Sequence, residues 1–197
     1  MNNVVINGTI QDIKFSHRVN TTDYYKAKVI VPRHKDTTDV ITVKFKLKEN
    51  TDNYNVGDRL NIMGSVRSHN TENGTDVYIY SHLDKCPDNT VNRVEIDGRI
   101  CKLGKYDTEA GKYTFVLANN IYTSKQQKIN NYIPCIAWHN VAKRMSELPV
   151  STQIKLYGKL QTHTYRKDDN EYLVTQLVVQ KFEVVEWISL TDMEDKH

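Results

Sequence analysis

The chain has 197 residues, of which 39% are hydrophobic and 26% charged, with a formal net charge of +3 at pH 7. That length exceeds one small β-domain and suits two compact ones, each burying a modest core. No apolar run approaches the roughly 20 residues needed to cross a bilayer. The opening MNNVVINGTI lacks the basic start and apolar stretch of a secretory signal. A cytoplasmic protein without membrane contact is therefore expected.

Taken in chain order, VVINGTI (4–10) alternates apolar and polar residues, the period of a half-buried strand. VITVKFK (40–46) and RLNIMGSV (59–66) do the same. Around DKCPDNTV (84–91), Pro87 and its polar neighbours stop a strand and mark a boundary. VEIDGRI (94–100) and QIKLYGKL (153–160) resume the alternation. Glycines interrupt four of these strands, Gly8, Gly64, Gly98 and Gly158, as bulges or bends do in a small closed sheet. One segment departs from the pattern: WHNVAKRMSEL (138–148) puts Val141, Met145 and Leu148 on one helical face, with Asn140 available as N-cap. The corresponding KLKENTDNYNVGD (46–58) is too polar and turn-rich for a helix.

The chain also matches itself. Residues 2–10 align with 92–100 at an offset of 90, and 56–69 with 150–163 at an offset of 94. Between these blocks VITVKFK pairs with IPCIAWH (133–139), placing Phe45 on Trp138. The expectation is an all-β protein made of two copies of one domain, at 1–85 and 90–187. Each copy is a five-stranded closed sheet, the second has a short helix between strands, and an acidic tail follows at 188–197.

Charge is uneven along the chain. Residues 86–180 carry 13 Lys/Arg against 9 Asp/Glu, whereas 181–197 carry two basic residues against five acidic ones. That distribution fits a nucleic-acid binder and equally fits ordinary solvated surface. Cys86, Cys101 and Cys135 form no CxxC pair, so reduced thiols are expected rather than a disulfide framework or a zinc site. No phosphate-cradling GxxxxGK[ST], HExxH or GxSxG sequence occurs, so neither an enzyme nor a cofactor is expected.

The ordered blocks NRVEIDGRICK, FVLANN, YIPCIAWHNVAKRMSEL, IKLYGKLQTHTY and YLVTQLVVQKFEVVE resemble bacterial single-stranded DNA-binding proteins over residues 92–186. The resemblance implies an OB-fold barrel in each copy and binding of single strands without sequence preference, in replication, recombination or repair. The family usually presents four barrels per assembly, so two per chain imply a homodimer. By matching blocks, its stacking aromatics fall on Tyr132, Trp138 and Tyr165, with Tyr122 one residue out of register. The chain ends TDMEDKH, where the family has an acidic run closing on Pro-Phe. Because that recruiting tip is absent, replication or repair proteins stay open as partners.

A sequence-blind single-strand site needs a basic groove and aromatic faces. In the second copy the cations are Arg99, Lys102, Lys105, Lys125, Lys128, Lys143, Arg144, Lys159, His163, Arg166 and Lys167. Tyr132 and Tyr165 are read as binding residues and Tyr157 as core, while Trp138 is open between the two. In the first copy Tyr24, Tyr25, Phe45, His69, Tyr78 and Tyr80 are interleaved with Lys26, Lys28, Arg33, Lys44, Lys46 and Arg67. Lys44–Phe45–Lys46 leaves two arrangements: the lysines face DNA and Phe45 is core, or Phe45 stacks and the lysines point away. The rival to DNA binding is an OB-fold accessory module of primosome type, binding protein or RNA.

Overall fold

The computed structural model describes residues 1–34, 36–47, 54–72, 74–85, 91–122, 128–167 and 170–186, without the side chains of 47, 82–85, 167, 170 and 186. Ten strands and one helix follow in order: β1 (Asn2–Val19), β2 (Thr22–Pro32), β3 (Thr38–Leu47), β4 (Arg59–Thr71), β5 (Gly74–Lys85), β6 (Asn92–Asp107), β7 (Lys112–Tyr122), β8 (Lys128–Trp138), α1 (His139–Ser146), β9 (Gln153–Lys167) and β10 (Asn170–Glu186). The expected tail at 188–197 lies outside the described residues, as do Cys86, Pro87 and residues 48–53 of the polar segment.

β1 pairs with β2, β2 with β3, β3 in parallel with β5, β5 with β4, and β4 returns to β1. The pairing thus closes on itself. β6, β7, β8, β10 and β9 repeat the circuit, again with one parallel pair, β8 with β10. The alternation read from the sequence sets the inward faces. Leu60, Ile62 and Val66 of β4 are buried, as are Ile154, Leu156 and Leu160 of β9.

The circuits meet along β1 and β6, where Asn2–Ile6 pairs antiparallel with Asn92–Ile96. Val4 faces Val94, its own counterpart in the repeat, so a pseudo-twofold axis passes between them. Two asparagines related by that axis extend the neighbouring ladders with their side chains. Asn2 exchanges two 2.8 Å bonds with the Val66 peptide, and Asn92 exchanges bonds of 2.7 and 3.1 Å with that of Leu160. The bends at Gly8 and Gly98 are also equivalent. A Cβ at either would lie 2.4 Å from a carbonyl oxygen of the next strand, Ile30 or Ala118.

The repeat alignment needs one correction. Val43 pairs with Ala27 and Ile79, while Cys135 pairs with Phe115 and Leu177. Phe45 therefore corresponds to Ala137, and Lys46, not Phe45, to Trp138. Loops of unequal length shift the offset between blocks, and alternation alone tolerates a one-residue slip until hydrogen bonds fix the register.

The helix also departs from expectation. It starts at His139 with Trp138 in the capping position and no side-chain cap, so Asn140 falls inside the first turn. The chain passes straight from β8 into α1, and the His139 amide donates instead to the Gly111 carbonyl at 2.6 Å. Ala142, Met145 and Leu148 bury against the core, with Val141 partly buried beside them. α1 contacts β6, β7, β8 and β10. Among the described residues no helix is long and apolar enough to cross a membrane.

Candidate functional site

Outward-facing residues of the second circuit can be read from its register. On β8, Tyr132, Pro134 and Trp138 share one face with Ile136, which is itself covered, opposite the buried Ile133, Cys135 and Ala137. Tyr132 and Trp138 are each 41% exposed. Six residues of strand separate them by about 20 Å. Trp138, left open by the sequence, is therefore a surface ring.

Across the sheet, Tyr132 lies beside Ala118, which lies beside Arg99, and Pro134 lies beside Val116 and Lys102. Tyr122, 67% exposed, pairs with Lys128 at the far end of the same face. On the other flank the β9–β10 hairpin carries Tyr165 stacked on Tyr172, centroids 5.3 Å apart. A trough of about 370 Å³ runs between these parts, floored by Val116 and Pro134 and walled by Lys102, Leu103, His163 and Tyr165. An apolar floor with rings at its margin offers flat faces to a planar ligand.

The first circuit contributes to this site through its neighbour strand. The Tyr132 amide donates to the Ser68 hydroxyl at 2.7 Å, and the Ser68 amide donates to Asn131 Oδ1 at 3.1 Å. The pseudo-twofold repeats the arrangement: the Val40 amide donates to Thr162 Oγ1 at 3.2 Å and the Thr162 amide to Asp39 Oδ1 at 2.6 Å. The stretch of β8 that carries Tyr132 is thus anchored from the other half of the chain. Sequence reading missed Ser68 because its role is a contact between copies.

The remaining cations divide. Lys159 pairs with Val178 and His163 with Val174 on the trough flank. Arg166 is held by Glu171, its Nε donating at 2.8 Å. Lys143 and Arg144 are exposed on α1, away from the trough lining, and Arg144 lies 5.0 Å from the Phe182 ring centroid. Arg99 also donates to the Ser151 carbonyl at 3.0 Å. Lys125 and the Lys167 side chain lie outside the described residues. Tyr157, read as core, faces out beside Lys155 and Lys181, each 5.1 Å from its centroid. The buried positions of that strand are Ile154, Leu156 and Leu160, so Tyr157 shares its lysines' face.

In the first circuit Phe45 is fully buried, which settles the Lys44–Phe45–Lys46 alternative: Lys44 and Lys46 face outward. Lys44 pairs with Lys26, Lys46 with Tyr24 and Arg67 with Tyr78. Lys44 Nζ sits 3.8 Å from the Tyr78 centroid, Arg67 lies 4.1 Å from that of Tyr80, and His17 stacks on Tyr24 at 4.6 Å. Burial, and then the charge of Lys26, lowers the Lys44 pKa, with Asp76 opposing. Tyr25 instead packs on Phe45, and Arg33 is bound to Asp39 and the Thr162 carbonyl, a structural tie between the halves. Cys101 is exposed and Cys135 buried, and burial pushes both thiols up.

Five strands paired in this order, with one parallel pairing among antiparallel ones, match the OB class of β-protein. Within that class, residues 91–185 match the model of the single-strand binding protein family. The crystal structure of wild-type single-stranded DNA binding protein from Thermus aquaticus superposes with a TM-score of 0.70 at 14% identity, covering 96% of this chain and 95% of that one. A deletion mutant of the same protein gives a TM-score of 0.67 at 14% identity, covering 96% and 97%. At that identity the likeness is one of fold. A search of curated proteins found no match.

Proposed function

We propose that this chain binds single-stranded DNA without sequence preference, through two OB barrels in tandem, and protects exposed strands during replication, recombination or repair. The observation that carries the reading is the shared outer face of Tyr132, Trp138 and the Tyr165–Tyr172 pair around an apolar trough edged by Lys102 and His163. Bases stacked on such rings contribute roughly 1–3 kcal/mol each, and cations hold the phosphates. The site reads no base edge, because rings and charges serve all four bases alike. It acts by capture and stacking, without bond chemistry.

Exposed rings on an open trough favour this reading over an accessory module, in which those rings would be covered by a partner. Two chains as a homodimer would bring four barrels together, a state that light scattering measures directly. Fluorescence anisotropy of a labelled dT oligomer, against a duplex of equal length, tests the function. Preferential binding of the single strand, weakening with salt, is the expected result. Equal binding of the duplex, or none of either, refutes it.

A further inference from the structure

A second cavity, of about 200 Å³, lies on the outer face of the first circuit. Lys26, Lys28 and Lys44 line it, against a single carboxylate, Asp76. Its charged lining therefore sums to +2. Its far wall is β10 of the second circuit, through Leu173 and Thr175. The next residues on the same strand, Val174 and Gln176, line the trough described above. Alternation along four residues of β10 thus makes one strand the partition between a lysine cavity and an apolar trough.

The two sides differ in chemistry. Tyr132, Trp138 and Tyr122 expose ring surface. In the first circuit Tyr78 is covered by Lys44 and Tyr80 by Arg67, so these two rings face cations and hold them in place, while Tyr24 stacks on His17. Lys44 and Lys26 are also close enough to repel, and burial of Lys44 adds to the cost of its charge. An incoming anion relieves both.

We infer that the Lys26–Lys28–Lys44 cavity is a phosphate seat for the same single strand whose bases stack in the trough beyond β10, dividing the labour between charge in the first half and stacking in the second. This rests on the single-strand reading above.

The test is the salt dependence of dT-oligomer affinity in the full-length chain. Each phosphate neutralised on a single strand contributes about 0.7 to the log–log slope. Lys26→Gln/Lys44→Gln should therefore lower the slope by about 1.4, so that between 50 and 200 mM salt it loses about sevenfold less affinity than the parent. Lys26→Arg/Lys44→Arg should restore the parent slope, and Tyr132→Ala should weaken binding with the slope intact. If the parent binds single strands and the glutamine variant, folded by its melting curve, keeps the parent slope, the phosphate seat is wrong and the single-strand reading stands. If the parent does not bind single strands at all, both are overturned.

Discussion

The Tyr132 amide is held by the Ser68 hydroxyl at 2.7 Å, a bond between a candidate stacking residue of one repeat and a strand of the other. Thr162 holds Val40 in the same way across the pseudo-twofold axis. Ser68→Ala removes the acceptor while leaving the Ser68 amide bonded to Asn131. A loss of about 0.5–1.5 kcal/mol of stability is expected in denaturant titration. Single-strand affinity should fall by less than it does for Tyr132→Ala, because the ring remains.

Phe45 and Trp138 should separate stability from binding. Phe45 is fully buried among Tyr25, Tyr54 and the first core, so Phe45→Ala should cost about 3–5 kcal/mol in unfolding free energy. Trp138 lies on the outer face. Trp138→Ala should change the melting temperature little and weaken dT-oligomer binding by about 1–3 kcal/mol in anisotropy.

Gly98 leaves no room for a methyl group beside the Ala118 carbonyl. Gly98→Ala should cost about 1–3 kcal/mol through overpacking, read as a lower midpoint in urea with an unchanged slope. Gly74 contrasts with it, having open space and a φ of +130°. Any cost of Gly74→Ala is conformational.

These contrasts also mark what the sequence could carry. Alternation around Gly8, Gly64, Gly98 and Gly158 identified strands, because buried faces repeat every two residues whatever their partners. Lys44–Phe45–Lys46 alone reads alike with either face inward, whereas the longer run sets Phe45 on the side of Ile41 and Val43, all three buried in the structure. The same alternation sets Tyr157 on the face of Lys155 and Lys159, opposite the buried Ile154, Leu156 and Leu160 and against its reading as core, and Lys155 and Lys181 lie over its ring. Family resemblance located Tyr132, Trp138 and Tyr165, which structure brings to one outer surface. The Ser68 anchor and the β10 partition depend on contacts between the copies, for which neither alignment nor periodicity has a signal.

Tyr165 stacks on Tyr172 at the hairpin flank of the trough. Tyr165→Ala should lower single-strand affinity by about 1–3 kcal/mol without changing its salt slope, whereas Tyr25→Ala, on the core side of β2, should lower stability in a melt.

The central claim is that the outer face of β8 meets single-stranded DNA. The chain has two tryptophans, so Trp187→Phe leaves Trp138 as the sole indole probe. Titration of this variant with poly(dT), with duplex of equal length as control, measures that contact directly. Quenching by poly(dT) alone, reversed by salt, is the expected result. Unchanged fluorescence together with no retarded complex in an electrophoretic shift would contradict the account.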